Sequence, residues 1–154
     1  MAEANAYYTL ADEFAKITAR SVFLTGKAGT GKTTFLRRLK EETQKQIAVV
    51  APTGVAAINA GGVTMHSFFQ LPFTPFVPTA EGRRNLISKI KMSTSRRKLM
   101  QELEMLVIDE ISMVRADVLD EVDAVLRYFR YNQAEPFGGL QVFFIGDMYQ
   151  LPPV

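Results

Sequence analysis

At 154 residues, 47% hydrophobic and 22% charged, the chain has the size of one domain and enough apolar content to bury a core. The absence of cysteine excludes disulfides and thiolate metal sites and agrees with a reducing intracellular compartment, cytoplasmic in a bacterial-type cell. No apolar run approaches the roughly 20 residues of a membrane span, MAEANAYYTLADEF lacks the basic start of a signal peptide, and a net charge of +2 permits nucleic-acid contact without demanding it.

Residues 9–18 place Leu10, Phe14 and Ile17 at helical spacing and predict an amphipathic helix with those residues inward. Residues 21–25 (SVFLT) predict a strand stopped by Gly26. A helix follows over 32–43, with Phe35, Leu36 and Leu39 on one face and Arg37/Glu41 and Arg38/Glu42 pairing across a turn. Residues 47–51 (IAVVA) form a second strand ended by Pro52, and 53–60 a short helix before Gly61-Gly62. The stretch LPFTPFVPTAEG, with three prolines, predicts a loop over 71–82. Residues 95–104 are helical in pattern, 105–109 (MLVID) are a third strand, and 114–130 a helix with Val118, Val122, Val125, Leu126 and Phe129 on one stripe. Gly138-Gly139 then opens a fourth strand at 141–145. Continuous apolar strands alternating with helices predict a mainly parallel sheet in a three-layer α/β fold.

The strongest chemical signal is GKAGTGKT at 26–33, which fits G-x-x-x-x-G-K-[ST] between a strand and a helix. Gly26, Ala28, Gly29, Thr30 and Gly31 would wrap backbone N–H groups around the phosphates of a nucleotide, and Thr34, in the first helical turn, would bind it with them. Lys32 reaches the β- and γ-phosphates of ATP, and Thr33 offers a hydroxyl to Mg²⁺. The bland alternative is a chance glycine-rich turn.

LVIDE at 106–110 delivers Asp109 to the carboxyl edge of the sheet as a Mg²⁺ ligand, with Glu110 placed to polarise an attacking water. Alone, such a pair is equally a cap for the next helix. The adjacent Asp-Glu resembles that of ATPases in which a further strand lies between the phosphate-loop and Asp-Glu strands, which implies 141–145 between 21–25 and 105–109, with GDMYQ ending near Lys32 and Glu110 and Gln150 reaching the γ-phosphate. The alternative for Gln150 is an exposed loop position.

APTGVAAINAGGVTMHSFF follows the second strand onto the same edge, where open α/β sheets bind ligands. Thr53 and Gly54 suit a backbone phosphate, and His66, Ser67 and Phe68 suit single-stranded nucleic acid. Equally, His66 is a structural histidine and Phe68 a core residue. The basic residues Arg83, Arg84, Lys89, Lys91, Arg96, Arg97 and Lys98 read either as a nucleic-acid surface or as a solvated helix face.

GKAGTGKTT, APTGVAAINAGGVTMHSFF, LVIDEISMV and PFGGLQVFFIGDMYQLPPV stand in an order that resembles the first RecA-like lobe of the petite integration frequency (PIF) DNA helicases, in the RecD-like branch of superfamily one. The resemblance covers roughly residues 21–154. It implies a P-loop RecA-like fold and an ATP- and Mg²⁺-dependent helicase moving 5′ to 3′ on single-stranded DNA. It implies Lys32, Glu110 and Gln150 as the catalytic set, Thr33 and Asp109 at the metal, and Thr53, Gly54, His66, Ser67 and Phe68 at DNA. It also implies a small insert within 70–94 near a duplex junction, and a second RecA-like lobe of the same parent chain carrying an arginine finger. On that reading residues 1–154 are one truncated lobe, whose partners are single-stranded DNA and DNA junctions and not a membrane. Many relatives read adenine with a glutamine upstream of the phosphate loop; residues 1–25 contain none, which leaves a backbone group or Asn5. A nucleotide-dependent switch ATPase without unwinding shares the first two motifs but gives no reason for the others. A P-loop kinase fits less well.

Overall fold

The computed structural model describes residues 2–26 and 31–149, with side chains from Ala6 onward. In chain order the elements are α1 (Ala2–Ile17), β1 (Val22–Thr25), α2 (Lys32–Glu42), β2 (Ile47–Ala51), α3 (Gly54–Ala60), β3 (Val63–Thr64) and α4 (Met65–Phe69). They continue with α5 (Ala80–Lys89), α6 (Thr94–Glu102), β4 (Met105–Ile108), a 3₁₀ turn (Ile111–Met113), α7 (Ala116–Phe129), a second 3₁₀ turn (Pro136–Gly139) and β5 (Gln141–Gly146).

The sheet order is β1-β5-β4-β2-β3, and every pairing is parallel. The last strand in sequence therefore lies between β1 and β4, as the resemblance to such ATPases implied. Two apolar layers sandwich the sheet. On one side Phe35, Leu36 and Leu39 of α2 and Ala11 and Ala15 of α1 close over Val107, Phe143 and Ile145. On the other, Val122, Val125, Leu126 and Phe129 of α7 meet Leu106, Ile108 and Val142, together with Phe68, Leu86 and Met100. β4 is buried at all four positions, which is why its sequence shows no alternation.

Some expectations need correction. The inward face of α1 is not Leu10/Phe14/Ile17: Leu10 is 50% and Ile17 78% exposed, while Ala11, Ala15 and Tyr8 pack inward. Small residues let α1 approach α2 and β1 closely, so the larger apolar side chains turn out of the seam. The predicted loop over 71–82 is wrong at its end, because α5 begins at Ala80; Thr79 caps it by accepting the Gly82 N–H at 3.0 Å. Thr79-x-x-Gly82 is a readable N-cap that the prolines obscured. Of the two predicted pairs on α2, Arg38–Glu42 forms at 3.8 Å, and among the described residues Arg37 and Glu41 do not pair. α1 begins at Ala2, seven residues before the expected start at 9, and the remaining helix bounds shift by a residue or two, as helix ends do.

Candidate functional site

The carboxyl ends of β1, β5 and β4 lie side by side, since Thr25 aligns with Gly146 and Phe144 with Ile108. Gly26, Asp147 and Asp109 each follow one of these ends. Gly31 (φ 94°) turns the chain into α2 in a conformation that glycine adopts freely, and Lys32 is the first helical residue. The Lys32 ammonium folds back to donate to the Gly26 carbonyl.

Asp109 and Glu110 sit in the turn after β4. Glu110 takes a left-handed backbone (φ 54°), and its N–H donates to Asp109 Oδ1 at 2.9 Å. Non-glycine residues in this region are uncommon and strained. The 3₁₀ turn that follows lies hard against the end of β5: a Cβ on Gly146 would stand 2.8 Å from Ile111 Cγ2 and 3.1 Å from Ile111 N. Glycine at 146 therefore lets the Asp109–Glu110 turn approach Asp147.

Burial pushes both carboxyls above the ordinary carboxylate range. For Asp109 the Glu110 N–H and the Lys32 charge oppose the rise. For Glu110 the charges of Asp109 and Asp147 add to burial, and Lys32 opposes them. Three acids and one lysine thus share one field at the sheet edge, the arrangement expected where protons or phosphates are handled. Asp147, buried, accepts the Tyr149 N–H at 2.9 Å and so bends the chain after β5. Sequence reading gave Asp147 no role, although an acid at the end of an apolar strand was its signal.

Beside Lys32 a cavity of about 260 Å³ is lined by Tyr7, Tyr8, Leu24, Gly26, Gly31 and Phe35. Tyr8 meets Phe35 edge-on at 5.3 Å, and Phe35 stacks on Phe143 at 5.5 Å. Tyr7 is 73% exposed at the mouth. The adjacent tyrosines were legible in the sequence, but their place against the phosphate loop was not.

The carboxyl edge continues past β2. Thr53 caps α3 by accepting the Ala56 N–H at 3.2 Å, and Gly54 is the exposed first residue of that helix. Thr53 and His66 line one small cavity with Met113 and Arg115. Ser67 is exposed. Phe68 is not available for stacking: it is buried, its carbonyl accepts Arg96 Nη1 at 2.9 Å, and the Arg96 guanidinium lies 5.5 Å from its ring centre. The exposed ring here is Phe73, parallel to His66 at 4.9 Å. Several of the clustered basic residues are likewise engaged: Arg83 with the Pro78 carbonyl, Arg97 over Phe129, and Lys98 with Glu102. Thr33 and Thr34 are exposed in the first turn of α2. Ala28, Gly29, Thr30 and Gln150 lie outside the described residues, as does the side chain of Asn5.

The PIF1-like helicase family matches residues 2–154. The ATP-dependent DNA helicase PIF1 of Candida albicans is 42% identical over 139 residues, which cover 87% of this chain and 15% of that protein. A solved structure of a Bacteroides Pif1 bound to single-stranded DNA is 49% identical with a TM-score of 0.82, covering 99% of this chain and 33% of the other. A second, of Bacteroides Pif1 with ADP-AlF3 and single-stranded DNA, is 47% identical with a TM-score of 0.83, covering 100% and 33%. The chain thus spans a small part of the Candida protein and about a third of the Bacteroides chains. With the family matched over nearly its whole length, the chain belongs to the PIF1-like helicases.

Proposed function

We propose that the chain is the ATP-binding motor lobe of a 5′ to 3′ DNA helicase, coupling ATP hydrolysis to movement on single-stranded DNA. The observation that carries this is the convergence of Lys32, Asp109, Glu110 and Asp147 on the ends of three adjacent parallel strands. The names of the relatives support it: the Candida protein is an ATP-dependent DNA helicase, and the Bacteroides structures hold single-stranded DNA and ADP-AlF3.

In this reading Lys32 leaves the Gly26 carbonyl for the β- and γ-phosphates, and the backbone of 26–31 surrounds them. The cavity of Tyr7, Tyr8 and Phe35 takes the base, in place of an upstream glutamine. Glu110 accepts a proton from the attacking water, and its raised affinity for protons brings it nearer to working pH. Gln150 meets the γ-phosphate. A Mg²⁺ ion would rest on Thr33 and Asp109; the donor set fits, because this cation takes one or two protein oxygens and completes its shell with phosphate and water. When bound, it would neutralise charge on the phosphates.

Thr53, Gly54, His66 and Ser67 hold the DNA strand, with the Phe73 ring beside His66 as the stacking surface. Residues 70–94, folded as a loop and α5, form the insert near the duplex junction. An arginine from a second RecA-like lobe meets the developing charge from the other side, worth about 10³ to 10⁵ in rate where such fingers are characterised.

The test is steady-state ATP turnover of residues 1–154 alone and joined to a second lobe, each with and without single-stranded DNA. The proposal expects DNA-stimulated turnover only in the two-lobe form. Absence of DNA stimulation from both would favour a nucleotide switch.

A further inference from the structure

Glu121 lies on α7, on the side facing α5, and is 3% exposed. Among the described residues its carboxylate forms no hydrogen bond and no ion pair. It lines a cavity of about 360 Å³ between α7 and the segment 72–89, separate from the cavity beside Lys32. Phe76, Val77 and Leu86 supply apolar walls, and Glu81 and Lys89 stand on the α5 side. The carboxylate opens onto this cavity with no donor or cation beside it among the described residues, where the packing around the rest of the residue weakens its solvation, and proteins normally pair such a group. Nothing in the nucleotide or DNA chemistry above uses it.

We propose that this cavity is a binding site for the charged end of one lysine or arginine side chain of a protein partner, with Glu121 as its counter-ion. The volume admits a side chain and not a folded surface. The apolar walls match an aliphatic stem, and the carboxylate matches a single ammonium or guanidinium head. Lys89 offsets Glu81 within the lining, which leaves one net negative charge and disfavours a polycation. Val77, 59% exposed in that lining, offers apolar surface to a peptide backbone beyond the stem.

The charge state of Glu121 makes the site proton-linked. Burial and the neighbouring Asp117 push its carboxyl up to about 7. The other titratable groups around it are few: Glu81 and Lys89 from α5, and on α7 itself Asp117, held by Arg115 at 3.0 Å. α6 and the 136–139 turn, also against α7, contribute no lining group. A cation binds the ionised form, so affinity should rise as pH passes through 7 and level off above it, falling toward tenfold per unit below.

The experiment is an NMR titration of the 154-residue chain with N-acetyl-arginine amide at pH 6 and pH 8, repeated with Glu121→Gln and with spermidine as the competing ligand class. The expected result is saturable shifts confined to residues 72–89 and the middle of α7, at least fivefold tighter at pH 8. In Glu121→Gln the affinity should drop at least tenfold and lose its pH dependence. Glu121→Gln keeps the shape and removes only a charge without a partner, so it should fold; its amide spectrum checks this. Absence of localised shifts, equal affinity in Glu121→Gln, or tighter binding of spermidine would overturn the proposal.

Discussion

The Asp123 carboxylate accepts the backbone N–H of Phe137 at 2.6 Å, across 14 residues of chain. The same carboxylate holds Arg127 Nε at 3.0 Å through both oxygens, and Arg127 Nη1 donates to the Gln133 carbonyl at 2.7 Å. Phe137 and Gly138 both take left-handed backbone conformations (φ 55° and 64°), and a Cβ on Gly138 would stand 2.6 Å from the Leu126 carbonyl oxygen. The Pro136–Gly139 turn is therefore clamped to α7, and that clamp sets where β5 begins. With β5 in register against β1 and β4, Asp147 arrives beside Lys32 and Glu110.

Asp123→Ala should destabilise the fold by about 1 to 3 kcal/mol, because it removes the acceptor of the part-buried Phe137 N–H and of Arg127 Nε. Gly138→Ala should do at least as much through steric conflict and backbone strain. Urea unfolding of each variant checks both. Losses under about 0.5 kcal/mol, the range of ordinary surface changes, would mean the turn is not clamped.

Glu121 predicts a pH dependence of stability. Its carboxyl titrates near 7 when folded against an ordinary value of 4.5, so between those values the folded state holds a proton that the unfolded state has released. Its contribution is fully present below about 4.5 and is lost as pH rises through 7, by at most about 3 kcal/mol. Glu121→Gln should match the wild type in unfolding free energy at pH 4.5 and exceed it at pH 8. A constant difference across that range would contradict the assignment.

Glu110→Gln should bind nucleotide within about threefold of wild type while turnover in the two-lobe form drops by about 10² or more, since the shape remains and the base is gone. The wild-type acid limb of turnover should lie above the ordinary carboxylate range, because below it Glu110 is protonated and accepts nothing. Wild-type turnover from Glu110→Gln would remove Glu110 from the chemistry.

Tyr7→Ala should weaken ATP binding by about 2- to 10-fold, the worth of one aromatic contact. Its ring is exposed, so the fold should be unaffected. An unchanged affinity would place the base elsewhere.

Much of this architecture is legible in the chain because strand and loop signals coincide. GKAGTGKT follows the β-rich run SVFLT and Asp109-Glu110 the apolar run MLVI, and the position of 141–145 between the two is the order that ATPases with these motifs carry. What escaped reading depends on partners far away in sequence. The alanine face of α1 looks weaker than Leu10/Phe14/Ile17 until α2 is packed against it. Phe68 reads equally as a stacking ring or a core ring, and only the Arg96 contacts decide. Gln141 sits in an otherwise apolar strand; it is 2% exposed because Lys45 donates to it at 2.7 Å and its own amide donates to the Phe14 and Arg20 carbonyls. A buried polar hub of that kind has no local sequence pattern.

The most direct test of the central claim, that residues 26–33 grip the phosphates of ATP through Lys32, is a calorimetric titration of residues 1–154 with Mg-ATP against the Lys32→Ala variant. The variant removes the Lys32 ammonium and adds no bulk. The account predicts saturable binding by the wild type and an affinity at least about 100-fold weaker in Lys32→Ala, equivalent to about 2.7 kcal/mol. Equal affinities for the two proteins would contradict it.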